Sequence, residues 1–427
     1  MRKASISTGC GSVTATTIGY FTIKLSAKKD NMVQDTRTLN RNAVLTELLR
    51  SRPASRKQIS GSTGISAATV TRTVDALISE GILAEGSELV VEGRGRRAVS
   101  LDLVAHRSLV LGIDLGASNT RFIVSDLLAR PVVAREVPTP STLNAFALAH
   151  WLDDCVRTAS GDLWGKITDV SLGLPGAVSQ HDRSISSAPN LPQVEDPDFL
   201  GEFENAIGRT AQVDNDANFA LLGEQRLGAA RSTPAAAMLT LGAGLGAGLS
   251  VDGRILQGRH GLVGEFGQLP VGPLGTRLEH MVTGPGILRR ADEAGWTLSS
   301  PAELFVESPG PAVRALRTHF DQALLIVLTA IAVSCEPELI VLGGGISKSL
   351  TSSLDQYQDS LRQNLRTSPR LVPAALGDFS GAVGAVVSAL HRVYRGLGVE
   401  EGALGELPND DTLDLATISK VQTLLVG

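Results

Sequence analysis

The sequence predicts a duplicated α/β body of two lobes, preceded by a small winged helix-turn-helix head. Three observations carry that reading. In the first hundred residues, apolar positions recur at helical spacing around a tight Gly-containing turn. Further on, a strand, a Gly-rich turn and a second strand occur twice, about 130 residues apart. Finally, the net charge of −5 conceals a split. Residues 1–105 carry 15 Lys+Arg against 9 Asp+Glu, or +6, and the remainder carries 24 against 35, or −11. A basic head on an acidic body points to two partners. With 427 residues and 43% hydrophobic content, the chain has material for a sizeable core, which excludes wholesale disorder.

Residues 1–34 are expected to be a disordered arm, or to precede the true start, because Met32 lies just before the first periodic helix. The head is expected over 35–104. Leu39, Val44, Leu45, Leu48 and Leu49 recur at helical spacing up to a break at Pro53. Ser55 is a candidate N-cap for a short helix closed by Gly64, and Ser66 caps a longer helix to about Glu80. Two helices joined by such a turn form the helix-turn-helix pattern. In the second of them Val70, Val74, Leu77 and Ile78 make the buried stripe. Ser66, Thr69, Thr71 and Arg72 are left for DNA, since small hydroxylated residues at a helix start approach phosphates and base edges closely. A hairpin follows, with Gly93 to Arg97 as its turn. Arg94, Arg96 and Arg97 are placed to reach phosphates or a narrow minor groove, as a wing does.

The body is expected over 109–395, after a short linker at 105–108, with 396–427 as a C-terminal tail. The strand Leu109–Asp114 runs into Gly116, Ala117 and Ser118, then into a second strand. Met238–Leu241 runs into Gly242, Ala243 and Gly244, and a third turn, Gly343-Gly344-Gly345, follows Leu339–Leu342. Such turns let backbone N–H groups face a phosphate, and two lobes of this kind close over a nucleotide or sugar. Asp114, at a strand end, is a candidate to hold Mg²⁺ through water. Neither a P-loop nor a dinucleotide fingerprint is present.

Cys10, Cys155 and Cys335 lie far apart and form no C-x-x-C pair. That fits a reducing, cytoplasmic setting and offers no zinc site. The most apolar stretch, Ala323–Val333, is about half of what a membrane span needs, so no membrane partner is expected.

Five motifs in order, Gly112-Ile113-Asp114-Leu115-Gly116, Gly173-Leu174-Pro175-Gly176, Asp214-Asn215-Asp216-Ala217-Asn218, Gly264-Glu265-Phe266-Gly267-Gln268 and Gly343-Gly344-Gly345, resemble the ROK family of repressors, open reading frames and sugar kinases. The resemblance covers about residues 35–395 and implies a duplicated actin-like ATPase (ribonuclease H-like) fold, with the head resembling the repressor branch. It also implies that Asp216 matches the general base of the kinases, and that Asn190, Asn215, Glu265 and Glu279 match positions contacting sugar hydroxyls. Gly116, Ser118, Gly242, Gly244 and Gly344 would face phosphates if nucleotide binding is retained.

The departures from the family pattern are informative. The usual Gly-Gly-Thr-Lys of the first turn is Gly116-Ala117-Ser118-Asn119, and Ala243 replaces a usual Thr. The family's zinc-binding His is Gln268, which could still bond a sugar, and the Cys-rich loop is cut to Pro273–Arg277. No zinc is therefore expected, and that loop must be held by packing alone. The resulting expectation is a DNA-binding regulator, a repressor of carbohydrate-related genes. A sugar effector binds in its cleft, it acts as a homodimer or higher homo-oligomer on a two-fold operator, and it needs no cofactor. The alternative is an ATP- and Mg²⁺-dependent sugar kinase that keeps a DNA-binding head.

Overall fold

The computed structural model describes residues 21–89, 98–271, 275–306, 310–409 and 412–424. The first helix, α1 (Phe21–Ser51), begins inside the segment expected to be an unstructured arm. Residues 21–35 contain neither Gly nor Pro, so the sequence offers nothing to stop the helix there. Val44, Leu45 and Leu48 are fully buried. α2 (Arg56–Thr63) starts with a reciprocal cap, in which Ser55 and Gln58 each accept the other's backbone N–H. It ends at Gly64, φ +71°. α3 (Ala67–Ser79) is capped by Ser66, which accepts from Thr69 N, and buries Val70, Val74 and Leu77.

β1 (Leu83–Leu89) and β2 (Ala98–Leu103) then pair antiparallel, and Ala54 bridges to Leu101. Arg94, Arg96 and Arg97 lie outside the described residues.

Two five-stranded sheets form the body. The first contains β3 (Leu109–Leu115), β4 (Asn119–Asp126), β5 (Pro131–Pro138), β6 (Ile167–Leu174) and, after the two-residue pair β7 (Ala177–Val178) and β8 (Ile185–Ser186), β9 (Ala211–Asn215). The second contains β10 (Ala236–Leu241), β11 (Leu245–Val251), β12 (Arg254–Ile255), β13 (Leu339–Gly343) and β14 (Arg370–Pro373). Their strand orders are β5-β4-β3-β6-β9 and β12-β11-β10-β13-β14. In each sheet a meander pairs antiparallel and two later strands add in parallel. The duplication read from the turns is therefore a duplication of topology.

α4 (Ala145–Ser160) and α5 (Phe199–Ile207) pack on each other and share the core of the first sheet. α7 (Glu279–Val282), α8 (Gly284–Glu293), α9 (Pro311–Cys335), α10 (Gly345–Leu350) and α11 (Leu354–Asn364) serve the second. α6 (Asp216–Leu227) and α12 (Ser380–Leu397) cross between the sheets with their backbones in contact. A Cβ on Gly384 would lie 1.7 Å from Phe219 O, so only glycine fits that crossing.

Three segments carry more structure than their sequence pattern indicates. α9 is long and apolar enough to cross a membrane by length and composition. It nonetheless buries Phe320, Leu324, Val327, Leu328 and Ile331 in the second core, because the helix extends well beyond the short apolar stretch read from sequence. The 105–108 segment is no loose linker, since Ala105 is buried and its carbonyl accepts from Leu127 N at 3.2 Å. Nor is 396–427 a free tail. α13 (Glu401–Leu404) and α14 (Leu415–Leu424) bring Leu404, Leu407, Leu413 and Ile418 into one core with α1, α3 and α12. Those apolar residues follow no single period, so the pattern gave no signal of burial.

Candidate functional site

The site is built where strands end. β3 carries Asp114 to its C-terminal end and turns through Gly116, whose N–H donates to Asn119 O at 3.1 Å. Behind Asp114 lies the start of α12, where a Cβ on Gly381 would sit 2.6 Å from Asp114 Oδ2. β9 ends at Asn215, which caps α6. Its Oδ1 accepts from Ala217 N at 2.9 Å and Asn218 N at 3.2 Å, and its Nδ2 donates to Gly176 O at 2.9 Å. The cap sets Asp216 at the first turn of α6, with Oδ1 accepting from Ala217 N at 2.7 Å. Asn218 points away from the cleft and donates to Asp214 at 2.9 Å.

From the other side, the β10–β11 turn closes with Gly242 N donating to Gly244 O at 3.0 Å. Glu265, Gln268 and Glu279 follow on the loop and helix beyond β11, and Asn190 Nδ2 donates to Glu279 Oε1 at 3.2 Å.

Apart from Asn218 and its partner Asp214, these strand-end and turn groups face one cavity of about 700 Å³, a volume that suits a small ligand. Asp114, Gly116 and Ser118 line it from the first turn, Gly242 and Gly244 from the second, and Gly344 from the third. Asn190, Asn215, Asp216, Glu265, Gln268 and Glu279 line the rest. Ser66, Thr69, Thr71 and Arg72 stand elsewhere, on the outer face of α3. Ser66, Thr71 and Arg72 are exposed and Thr69 half-buried.

The cavity favours protonated carboxyls. Burial, then the charge of Asp216, pushes Asp114 up to about 7, with Arg121 opposing and Asp378 adding to the rise. Asp216 rises to about 6 through burial, opposed by its bond from Ala217 N–H. Glu265 rises to about 7 through burial and then through Asp216 and Glu279. Carboxyls near neutrality can both donate and accept, which is the chemistry that paired hydroxyls require.

The sequence pattern of the ROK family matches residues 110–392, two thirds of the chain and the whole of this cavity's framework. The chain belongs to the ROK family. It is 29% identical over 286 residues to the bifunctional enzyme NanE/NanK of Brucella suis, covering 65% of this chain and 52% of that protein. It is also 29% identical over 242 residues to the DNA-binding transcriptional dual regulator NagC of Escherichia coli, covering 56% and 59%. The chain thus spans about half the length of the curated relatives it matches first. A crystal structure of a ROK family transcriptional regulator, described as a homolog of the E. coli MLC protein, superposes with a TM-score of 0.66 at 20% identity. It covers 90% of this chain and 99% of that one. The body therefore has the actin-like ATPase-type α/β fold of ROK proteins.

Against that ROK framework, two sequence inferences change. Ala117 does not adopt a left-handed φ, so the first turn needs no second glycine at that point. The shortened loop after Gln268 is held by more than packing: Val271 N donates to Thr276 O at 3.1 Å, Leu278 N donates to Leu269 O at 3.0 Å, and Arg277 bonds Gln268. Cys155 and Cys335 lie on α4 and α9, away from that loop.

Among the polar cavity residues that sequence reasoning missed are Arg121, Glu136, Thr240 and Asp378. Arg121 pairs with Glu136 at 2.8 Å and approaches Asp378 at 3.9 Å, and Lys348 reaches Asp378 at 2.6 Å. Period-2 alternation along β4 would have put Arg121 on the face of Asn119, whereas Asp378 sits in a turn without periodicity.

Proposed function

We propose that this protein is a DNA-binding transcriptional regulator, a repressor of carbohydrate-related genes, whose affinity for DNA is set by a sugar or sugar derivative in the cleft. One juxtaposition carries the reading. A head in which α3 packs one face into its own core and leaves Ser66, Thr71 and Arg72 exposed on the other sits on a body whose cavity is lined by amides and carboxyls suited to hydroxyls. The order α2, turn, α3, β1, β2 supports a winged helix-turn-helix reading, in which Arg94, Arg96 and Arg97, known from the sequence alone, would serve the wing. The regulator fold that covers 90% of the chain supports the same assignment.

In this reading Glu265, Glu279, Asp216 and Asn190 contact the sugar, Gln268 completes that wall, and Asn215 holds Asp216 in place. A two-fold operator calls for a homodimer or higher homo-oligomer. No cofactor is required, and zinc has no role.

A second reading is favoured by Asp216 alone. A carboxylate raised to about 6 at a helix start is poised to take a proton from a sugar hydroxyl near neutral pH. The chain would then be a sugar kinase with a DNA-binding head. Asp114 would hold Mg²⁺, and Gly116, Ser118, Gly242, Gly244 and Gly344 would face the phosphates of ATP.

One preparation of the full chain decides between the two. It is used to select binding sites from random duplex DNA with and without a sugar panel, and is assayed with ATP, Mg²⁺ and the same sugars. The regulator reading expects enriched sites, a sugar-dependent change in affinity and no turnover. Turnover that is lost in Asp216→Ala, with any DNA affinity indifferent to the sugars, establishes the kinase instead.

A further inference from the structure

α12 connects the cavity to the head. Its first residues, Ser380 and Gly381, line the cavity, and Gly381 lies directly against the Asp114 carboxylate. At its other end Gly398, φ +102°, caps the helix against α1, where an added Cβ would lie 2.4 Å from Asn42 Oδ1. α12 is 18 residues long, or ~27 Å at about 1.5 Å per residue, and the two contacts lie at its two ends.

Little slack exists along that length. The backbone of α12 meets α6 at Gly384, and it meets β3 at Gly112, where a Cβ would lie 2.4 Å from Val386 N. Contacts this close transmit displacement rather than absorb it.

The head end is held from two sides. Tyr394 donates to Leu127 O at 2.6 Å, and Leu127 N donates to Ala105 O at 3.2 Å in the segment leaving the head. Opposite, the C-terminal segment grips α1. Glu406 pairs with Arg50 at 2.6 Å, and Asn409 Nδ2 donates to Arg50 O at 2.6 Å. Leu404, Leu407 and Leu413 share one core with Leu45, Leu48 and Tyr394.

We propose that α12 is the element through which cavity occupancy sets the orientation of the head, with residues 399–409 and 412–424 acting as the clamp that keeps α1 on the helix. A ligand bearing on Asp114 shifts the first turn of α12. A tilt of about 5° carries the far end of a ~27 Å helix about 2 Å, enough to move α1 against the body. The inference rests on the cavity being the effector site, but its test needs no effector.

A methyl group serves as the wedge. Amide hydrogen exchange is followed in the full chain for wild type, Gly381→Ala, and Gly381→Ala with Asp114→Ala. In Gly381→Ala, exchange across Val44–Leu49 is expected to accelerate about tenfold, a typical allosteric coupling, while α4 keeps its wild-type rate. Removing the struck carboxylate in the double variant restores the head.

A second wedge at the opposite end, Gly398→Ala, keeps the test open should Gly381→Ala not fold. Coupling is reciprocal, so Gly398→Ala must alter exchange across residues 377–382. Silence at the far end in either single variant, or a head change that Asp114→Ala leaves in place, overturns the proposal. A panel with no sugar bound would refute the effector reading and leave the wedge result standing.

Discussion

The two glycine turns that face each other across the cavity are the same device with one decisive difference. In the first, Asp114-Leu115-Gly116-Ala117-Ser118 leaves β3; in the second, Thr240-Leu241-Gly242-Ala243-Gly244 leaves β10. Each leucine is buried, and each turn closes on its first glycine's N–H, although the first spans one residue more. At the aligned position one strand ends in a buried carboxyl held near neutrality, and the other in a hydroxyl that donates to Gly246 O at 3.2 Å. Duplication supplied the scaffold twice, and a single side chain gave the first lobe its titrating group. Function here resides in the residues grafted onto the repeat rather than in the repeat itself.

That comparison holds only while α6 and α12 keep the turns opposed. The largest expected effect therefore comes from Gly384→Ala, whose new Cβ would strike Phe219 O at 1.7 Å. It should cost about 3 kcal/mol, the upper range for overpacking, read as a lower urea midpoint. Next is Glu224→Gln. This fully buried carboxylate of α6 accepts from Ala229 N, Ala375 N, Leu376 N and the Ser380 hydroxyl, tying α6 to the segment that enters α12. An amide cannot accept all four, and a loss of about 2 kcal/mol follows in the same titration.

Asp114→Thr makes the first turn like the second. An unfolded Asp titrates near about 4, whereas the folded Asp114 titrates at about 7. Between those values the native state holds a proton that the unfolded chain has released, so this group's contribution to stability falls as pH rises. Thermal melts from about pH 5 to 7.5 should therefore show a shallower decline in Asp114→Thr, and a higher Tm at the upper end. Thr240→Val tests the other turn and should be the mildest change, about 0.5–1 kcal/mol for one neutral hydrogen bond.

The strands and turns were legible because they are local. Alternation and glycine placement located β3, β4, β10, β11 and β13, and all twelve cavity residues named from the sequence do meet in one cavity. What stayed hidden depends on contacts between distant segments. Arg121, Glu136 and Asp378 come together only when β4, β5 and the start of α12 converge. Asn215 reads as a sugar ligand in the motif, yet most of its polar capacity is spent on capping α6 and bonding Gly176. The C-terminal segment shows no period, and its role emerges only from the core it shares with α1.

The most direct test of the account is the affinity of the full chain for its selected duplex, titrated with and without each sugar that the cavity binds. The account predicts a tight complex whose affinity changes when the sugar is added, with Arg72→Ala weakening it and lowering its salt dependence by about one phosphate contact. A chain that selects no duplex, or whose DNA affinity is indifferent to a sugar it demonstrably binds, contradicts it.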